Sequence, residues 1–311
     1  MCKEWNGKRY HSLNYFLRNK FGEKVFKISL DGGFSCPNRD GTISSGGCIF
    51  CSEKGSGDFA GVREHSIKNQ FLEIKEMMSK KWKNGKYIAY FQAYTNTYAP
   101  VEELRMKYYE AIEQEDVVAL AIATRPDCLQ DEVLDLLEEL NKKVYVWIEL
   151  GLQTVNDETA KRINRGYKLE VFEEAINNLK KRNIDFVVHS ILGLPGETHE
   201  DILKTIDYIA HTGARGIKFH LLHLMKETPL VKLYENGELK FLEKAEYIDL
   251  ICKGICALPE DMVVHRLTGD APRNLLIGPM WSLKKWEVLN AIDEQMKQKN
   301  YYQGKDFKIK F

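Results

Sequence analysis

The sequence predicts an α/β protein, a partial (β/α)6 barrel with short extensions at both ends. Three observations carry that expectation. Six short apolar runs alternate with amphipathic helical segments, several of those runs are apolar on both faces, and a glycine-rich loop bearing cysteines follows the first run. Strands apolar on both faces belong in a covered parallel sheet, and strict strand–helix alternation is the pattern of right-handed βαβ units.

In chain order the strands are KVFKISL (24–30), YIAYFQ (87–92), VVALAIAT (117–124), VYVWIEL (144–150), DFVVHSIL (185–192) and IKFHLLHL (217–224). Each is short and rich in Val, Ile or aromatic residues, as strands are. Helical periodicity falls at about 63–83, 101–114, 130–141, 156–163 with 169–182, and 199–212. Asn156 and Thr198 are the expected N-caps, each followed by acids that suit a helix start. Six such units curved together place their active groups at the C-terminal strand ends. The expected divisions are a basic N-terminal extension (1–23), the partial barrel (24–267) and a basic, aromatic C-terminal extension (268–311). Neither an internal repeat nor a low-complexity tract interrupts them.

The chain has 311 residues, 44% hydrophobic and 29% charged, which excludes disordered and collagenous classes. The opening MCKEWNGKRY lacks the apolar core of a signal peptide, and no apolar stretch matches a bilayer's thickness. A cytoplasmic protein without a membrane partner is expected. Forty-five basic and 45 acidic residues cancel, but residues 1–27 carry +5 and 284–311 carry +3. Trp5, Tyr10, Tyr15, Trp281, Trp286, Tyr301 and Tyr302 are interleaved with those bases. Cations suit phosphates and flat rings suit unstacked bases, so nucleic acid is one expected partner; a merely solvated surface is the other reading.

The chain has seven cysteines, and an odd number without a secretory signal argues against a disulfide framework. Cys2, Cys128, Cys252 and Cys256 are scattered or lie in apolar helical text, and Cys252 and Cys256 share a helix face. Cys36, Cys48 and Cys51 differ. Eleven residues separate the first pair and two the second, in a loop whose glycines and Pro37 let it bend around one point. By spacing alone, three soft ligands suit a zinc ion or three irons of a [4Fe–4S] cluster. Their place at the mouth of a predicted barrel favours the cluster, whose fourth iron would remain open.

With that loop, the text FKISLDGGFSCPNRDGT…GGCIFC resembles the radical S-adenosylmethionine (SAM) enzymes, in the long-spaced branch that includes the Elongator catalytic subunit. The similarity runs from about Lys8 to Leu283, and no counterpart of that subunit's acetyltransferase domain is expected. The resemblance implies a [4Fe–4S] cluster on Cys36, Cys48 and Cys51, SAM as second cofactor, and an electron donor such as flavodoxin or ferredoxin. It also implies where SAM sits. Gln92, Ala93, Tyr94, Thr95 and Asn96 stand where the family receives the SAM amine, although the usual glycines are missing. Thr124 and Asp127 end the third strand, Gln153 falls in the ribose-contacting segment, and Arg165 matches the arginine for the SAM carboxylate. His189 would face the ribose, with Gly193 to Gly196 at the adenine.

Two-residue alternation puts Lys218 and His220 on one face of the sixth strand as substrate contacts, and His223 on the other as a structural residue. Arg266, Asp270 and Arg273 either anchor substrate or lock the last strand. The implied substrate is tRNA, gripped at the anticodon stem-loop, with conversion of a 5-carboxymethylaminomethyl group on the wobble uridine to 5-aminomethyl. A small-molecule or protein substrate is the alternative, and a zinc-bearing RNA-binding module without catalysis is a remote third.

Overall fold

The computed structural model describes residues 4–55, 57–82 and 84–309, so Cys2, Lys3 and Lys310 lie outside the described residues. The chain opens with helix α1 (Leu13–Phe21), capped by Ser12. Strand β1 (Val25–Leu30) and the long cysteine loop lead to α2 (Ile67–Ser79). Next come β2 (Lys86–Phe91), α3 (Val101–Ile112), β3 (Val117–Thr124) and α4 (Asp131–Asn141). They are followed by β4 (Tyr145–Gln153), α5 (Asp157–Arg162), α6 (Leu169–Lys181), β5 (Asp185–Leu192) and α7 (His199–Ala210). The last third holds β6 (Gly216–Leu221), β7 (Leu224–Met225), α8 (Leu230–Glu235) and α9 (Lys244–Ala257). It ends with β8 (Val263–Arg266), β9 (Leu276–Gly278) and α10 (Lys285–Gln298). Asn156 and Thr198 cap α5 and α7 as their side chains require.

The six expected strands pair in parallel in chain order, and a seventh, β8, joins β6 at the edge. The sheet is therefore a curled seven-stranded partial barrel. VVHR is too short and too polar at its end to read as a strand without a partner, and only pairing with β6 supplies one. The sixth run ends at Leu221; Leu224 and Met225 leave the sheet to pair with β9 in a small antiparallel ribbon.

Alternation divides the side chains into two layers. Ile28, Leu30, Tyr87, Ala89, Phe91, Leu120, Ile122, Val146, Ile148, Val188, Ile217 and Phe219 face the helices and form the main core. The opposite face lines the lumen. Its lower part is apolar, with Ile88, Ala119, Ala121, Trp147 and Val187 packed against Leu17 of α1. Leu13, Phe16 and Phe21 add to that plug. The N-terminal segment thus closes the floor of the barrel, and α10 buries Val288, Ile292 and Met296 in the main core. Among the described residues, no helix is long and apolar enough to cross a membrane.

Candidate active site

Above the apolar plug the lumen opens into a cavity of about 810 Å³ at the C-terminal strand ends. That volume lies within the range of ligand pockets. Two differently furnished walls face it.

The first wall is the cysteine loop. Cys36, Cys48 and Cys51 all line the cavity, and their mutual repulsion adds to burial in pushing the Cys48 thiol up to about 12. Asn38, wholly buried, donates to the Asn164 carbonyl at 2.6 Å and to Cys48 Sγ at 3.6 Å. Arg39 ties the loop shut by donating to the Cys51 carbonyl at 3.0 Å and to that of Ser52. Gly47 has φ +80°, and a Cβ there would meet Arg39 at 2.8 Å, so glycine suits the turn that presents Cys48. Among the described residues, no three His, Cys, Asp or Glu side chains gather as ligands of a single metal ion. Ligands of a cluster bind separate irons and need not meet at one point. A loop offering three thiols and a hydrogen bond to one of their sulfurs fits such a cluster.

Beside that loop stand Gln92, Tyr94, Thr95, Thr124, Gln153 and Arg165, all on the cavity wall. A β-bulge between Gly151 and Gln153 gives Gln153 a φ of +64° and turns its side chain inward, against the carbonyls of Gly151 and Leu152. Other sequence candidates are placed differently. Ala93 packs beneath Gly57, and Asn96 is a buried brace donating to the carbonyls of Phe91 (3.2 Å) and Ala123 (2.8 Å). Asp127 is held by Arg125 through paired bonds of 2.9 and 2.6 Å. Gly193 and Gly196 adopt φ of +90° and +86° in the β5–α7 turn, where Gly196 lies against Arg162 and Gly193 against Leu242. None of these five is on the cavity wall. Arg165 lines the cavity, but its guanidinium donates to the carbonyls of Leu152 (2.8 Å), Thr154 (2.7 Å) and Tyr167 (3.1 Å) and pairs with Asp157 (3.2 Å). Most of its fork is committed to backbone. Arg125, also on the wall, donates to the Arg165 carbonyl at 2.8 Å.

The second wall is a polar cluster centred on Glu149, which is wholly buried. It accepts from Lys218, from His189 Nε2 (3.1 Å), from Trp147 Nε1 (3.1 Å) and from Lys27 (3.5 Å). Burial alone would raise its pKa; Lys218, Lys27 and the His189 hydrogen bond overcome that and hold the carboxyl well below the usual range. Lys218 also reaches the Tyr90 hydroxyl at 3.3 Å. His220 lies 4.9 Å from His189, ring centre to ring centre. The β6–β8 pairing slips between Ile217 and Lys218, so the consecutive His265 and Arg266 both reach the cavity wall. His223 reaches it too, contrary to the alternation argument, because β6 ends at Leu221 and period-two facing ends with it.

Sequence reasoning missed Lys27, Tyr90, Glu149 and His265. A lone acid in the apolar run VYVWIEL was the available signal for Glu149, since a buried strand does not keep a carboxylate unpaired. Lys27 counts as a terminal base in sequence, yet it sits inside the barrel. Other terminal bases are neutralised within the fold: Lys8 pairs with Asp293, Lys285 with Asp270 and Lys299 with Asp249. Trp5 and Tyr10 are buried, whereas Trp286 is 76% exposed.

Known proteins share both fold and sequence with this chain. The radical SAM superfamily model matches residues 40–209 and the radical SAM C-terminal domain model residues 214–298. Protein YtqA of Bacillus subtilis is 54% identical over 96% of this chain and 93% of its own. Elongator complex protein 3 of Drosophila melanogaster is 28% identical over 51% of this chain, a span covering 29% of the fly protein. The archaeal Elp3 of Methanocaldococcus infernus superposes with a TM-score of 0.66 at 16% identity, over 90% of this chain and 64% of that one. The chain belongs to the radical SAM superfamily of enzymes and resembles its Elongator-like branch.

Proposed function

We propose that this radical SAM enzyme modifies the wobble uridine of tRNA, converting a 5-carboxymethylaminomethyl group to 5-aminomethyl. The observation that carries the reading is the two-walled cavity, with three thiols on one side and a predominantly cationic cluster on the other. Cys36, Cys48 and Cys51 would hold the [4Fe–4S] cluster, and Gln92, Tyr94, Thr95, Thr124 and Gln153 offer polar groups to SAM. The bound cofactors supply one-electron cleavage of the sulfonium and a 5′-deoxyadenosyl radical.

The chain's own residues supply the setting. Asn38 orients Cys48, while Arg125 and Arg165 put positive charge where a carboxylate is expected. Glu149 keeps Lys218 and His189 in fixed positions on the floor. The substrate methylene lies between an amine and a carboxylate, so loss of its hydrogen atom leaves a radical stabilised by both. A one-electron acceptor of the flavodoxin or ferredoxin class would take that radical's electron to leave an imine, and hydrolysis by water would release the 5-aminomethyl amine and glyoxylate. A base must leave its stack to enter the cavity.

The ion pairs that neutralise Lys8, Lys285 and Lys299 favour a second reading, a small-molecule or protein substrate. One experiment separates the two. The anaerobically reconstituted enzyme is reduced with SAM in the presence of tRNA from a strain lacking this activity, and 5′-deoxyadenosine and nucleosides are quantified. Deoxyadenosine formed with conversion of the carboxymethylaminomethyl nucleoside supports the tRNA reading. Deoxyadenosine without any nucleoside change supports the second.

A further inference from the structure

We infer that Asn38 is a positioning residue acting through Cys48: its side-chain N–H donates to that sulfur and raises the reduction potential of the cluster held there. The inference rests on the reading that Cys36, Cys48 and Cys51 carry a [4Fe–4S] cluster, and it holds whatever the substrate is.

The geometry fixes how the amide points. Asn38 is wholly buried, and its Nδ2 lies 2.6 Å from the Asn164 carbonyl oxygen and 3.6 Å from Cys48 Sγ. Both neighbours are acceptors, so the nitrogen and not the oxygen faces them. An amide nitrogen carries two hydrogens, one for each. The oxygen points toward Gly166, where a Cβ would meet it at 2.7 Å. There it is shut off from solvent and has no hydrogen-bond partner among the described residues.

That orphaned oxygen argues against a purely structural role. A buried carbonyl without a partner is costly, and a leucine would fill the same space without one. Other bonds already close the loop. The Gly47 N–H donates to the Asn38 backbone carbonyl at 2.8 Å. The Asn164 side chain donates to the Gly47 carbonyl at 2.8 Å and to the Ser44 hydroxyl at 3.0 Å, and Arg39 holds the Cys51 carbonyl at 3.0 Å. What the Asn38 amide adds is an N–H on a cysteine sulfur.

Electrostatics give the consequence. Adding one electron to a cluster makes its sulfurs more negative, and hydrogen bonds to those sulfurs are among the factors that set its potential. A dipole aimed at one sulfur in a site of low dielectric favours the reduced form. Arg125 also stands beside Gly166, its Nη2 3.3 Å from the same Cβ position, but its charge is matched by Asp127 at 2.9 and 2.6 Å. The Asn38 N–H is not duplicated by it.

The test uses the full chain reconstituted anaerobically with iron and sulfide, wild type beside Asn38→Leu and Ser44→Ala. Iron content is measured first, and the midpoint potential then by redox titration followed by electron paramagnetic resonance. Asn38→Leu should make reduction about tenfold less favourable, which lowers the midpoint by about 60 mV for one electron. Ser44→Ala removes an acceptor from the Asn164 clamp and leaves the Asn38 N–H in place, so its midpoint should not move. An unchanged or higher midpoint in iron-loaded Asn38→Leu overturns the inference. An equal drop in Ser44→Ala does so too, because loop closure would then set the potential. Should Asn38→Leu fail to hold iron, the wild type carries the test. With nitrogen-15 confined to asparagine side-chain amides, pulsed resonance of the reduced cluster should show a nitrogen coupling, and its absence overturns the role of Asn38. A wild-type chain that takes up no iron overturns the cluster reading itself, and the inference with it.

Discussion

Arg165 shows how far a residue type can be read without its surroundings. In sequence it matches a carboxylate-binding arginine; in the fold it holds three backbone carbonyls and Asp157 while lining the cavity. Removing it leaves buried carbonyls unsatisfied, so Arg165→Ala should cost about 3 kcal/mol. A lower urea midpoint at unchanged slope would show this. Full stability with loss of SAM binding would mean instead that its ligand role dominates. Glu149 is the converse case, a residue whose importance is invisible without its neighbours. Glu149→Gln uncovers Lys218 in a buried site, and such broken pairs cost roughly 3–5 kcal/mol. The double variant Glu149→Gln with Lys218→Met should recover part of that loss in the same assay. Cys48→Ala should abolish the visible absorbance of the reconstituted protein and leave its far-ultraviolet circular dichroism unchanged.

At the scale of elements, regular strands bring Lys27, Tyr90, Glu149, His189, Lys218 and His220 to the cavity, and irregularities complete the site. The bulge in β4 turns Gln153 inward, and the slip between β6 and β8 brings His265 and Arg266 to the same wall. The turn before Cys48 works similarly. Gly47 is left-handed at φ +80° with Arg39 close behind it, so Gly47→Ala adds about 1–2 kcal/mol of backbone strain. It also presses on the side chain that closes the loop. The expected result is a substoichiometric iron content after reconstitution with a melting temperature lowered by only about 2–4 °C. Full iron loading would show that the loop adapts. Alternation on β6 gives Lys218 and His220 correctly as cavity-facing residues, but it fails for His223, three residues further on, because the strand has ended.

The molecule as a whole gathers four histidines, His189, His220, His223 and His265, around one cavity. Burial lowers His189 and His223 to about 4, and holds His220 and His265 well below the ordinary value of 6.5. Between those limits the unfolded chain binds protons that the folded chain refuses, so stability rises with pH. The contribution is complete above pH 6.5 and is lost as pH falls toward 4, by roughly 3 kcal/mol for His189 alone. Glu149 adds to the loss only below the ordinary carboxylate range, because its folded pKa is depressed. Urea midpoints should therefore fall as pH drops from 6.5 to 4, and His265→Phe should flatten that slope. Equal midpoints at pH 7.5 and 5 would contradict this account.

Fold class, the order of six strands, the N-caps at Asn156 and Thr198 and the thiol loop at the barrel mouth are legible in the residues alone. These follow from local periodicity, capping chemistry and spacing, which short segments carry unaided. The seventh strand, the inward placement of Lys27, the pairing of the terminal bases and the Glu149 cluster exist only in the folded chain. Each depends on what stands opposite in space: VVHR is a strand only beside β6, and Glu149 is tolerable only where Lys218, Lys27 and His189 converge. A charge in sequence has a sign but no partner, and partners from 15 to 285 residues apart decide whether it meets solvent, substrate or another charge.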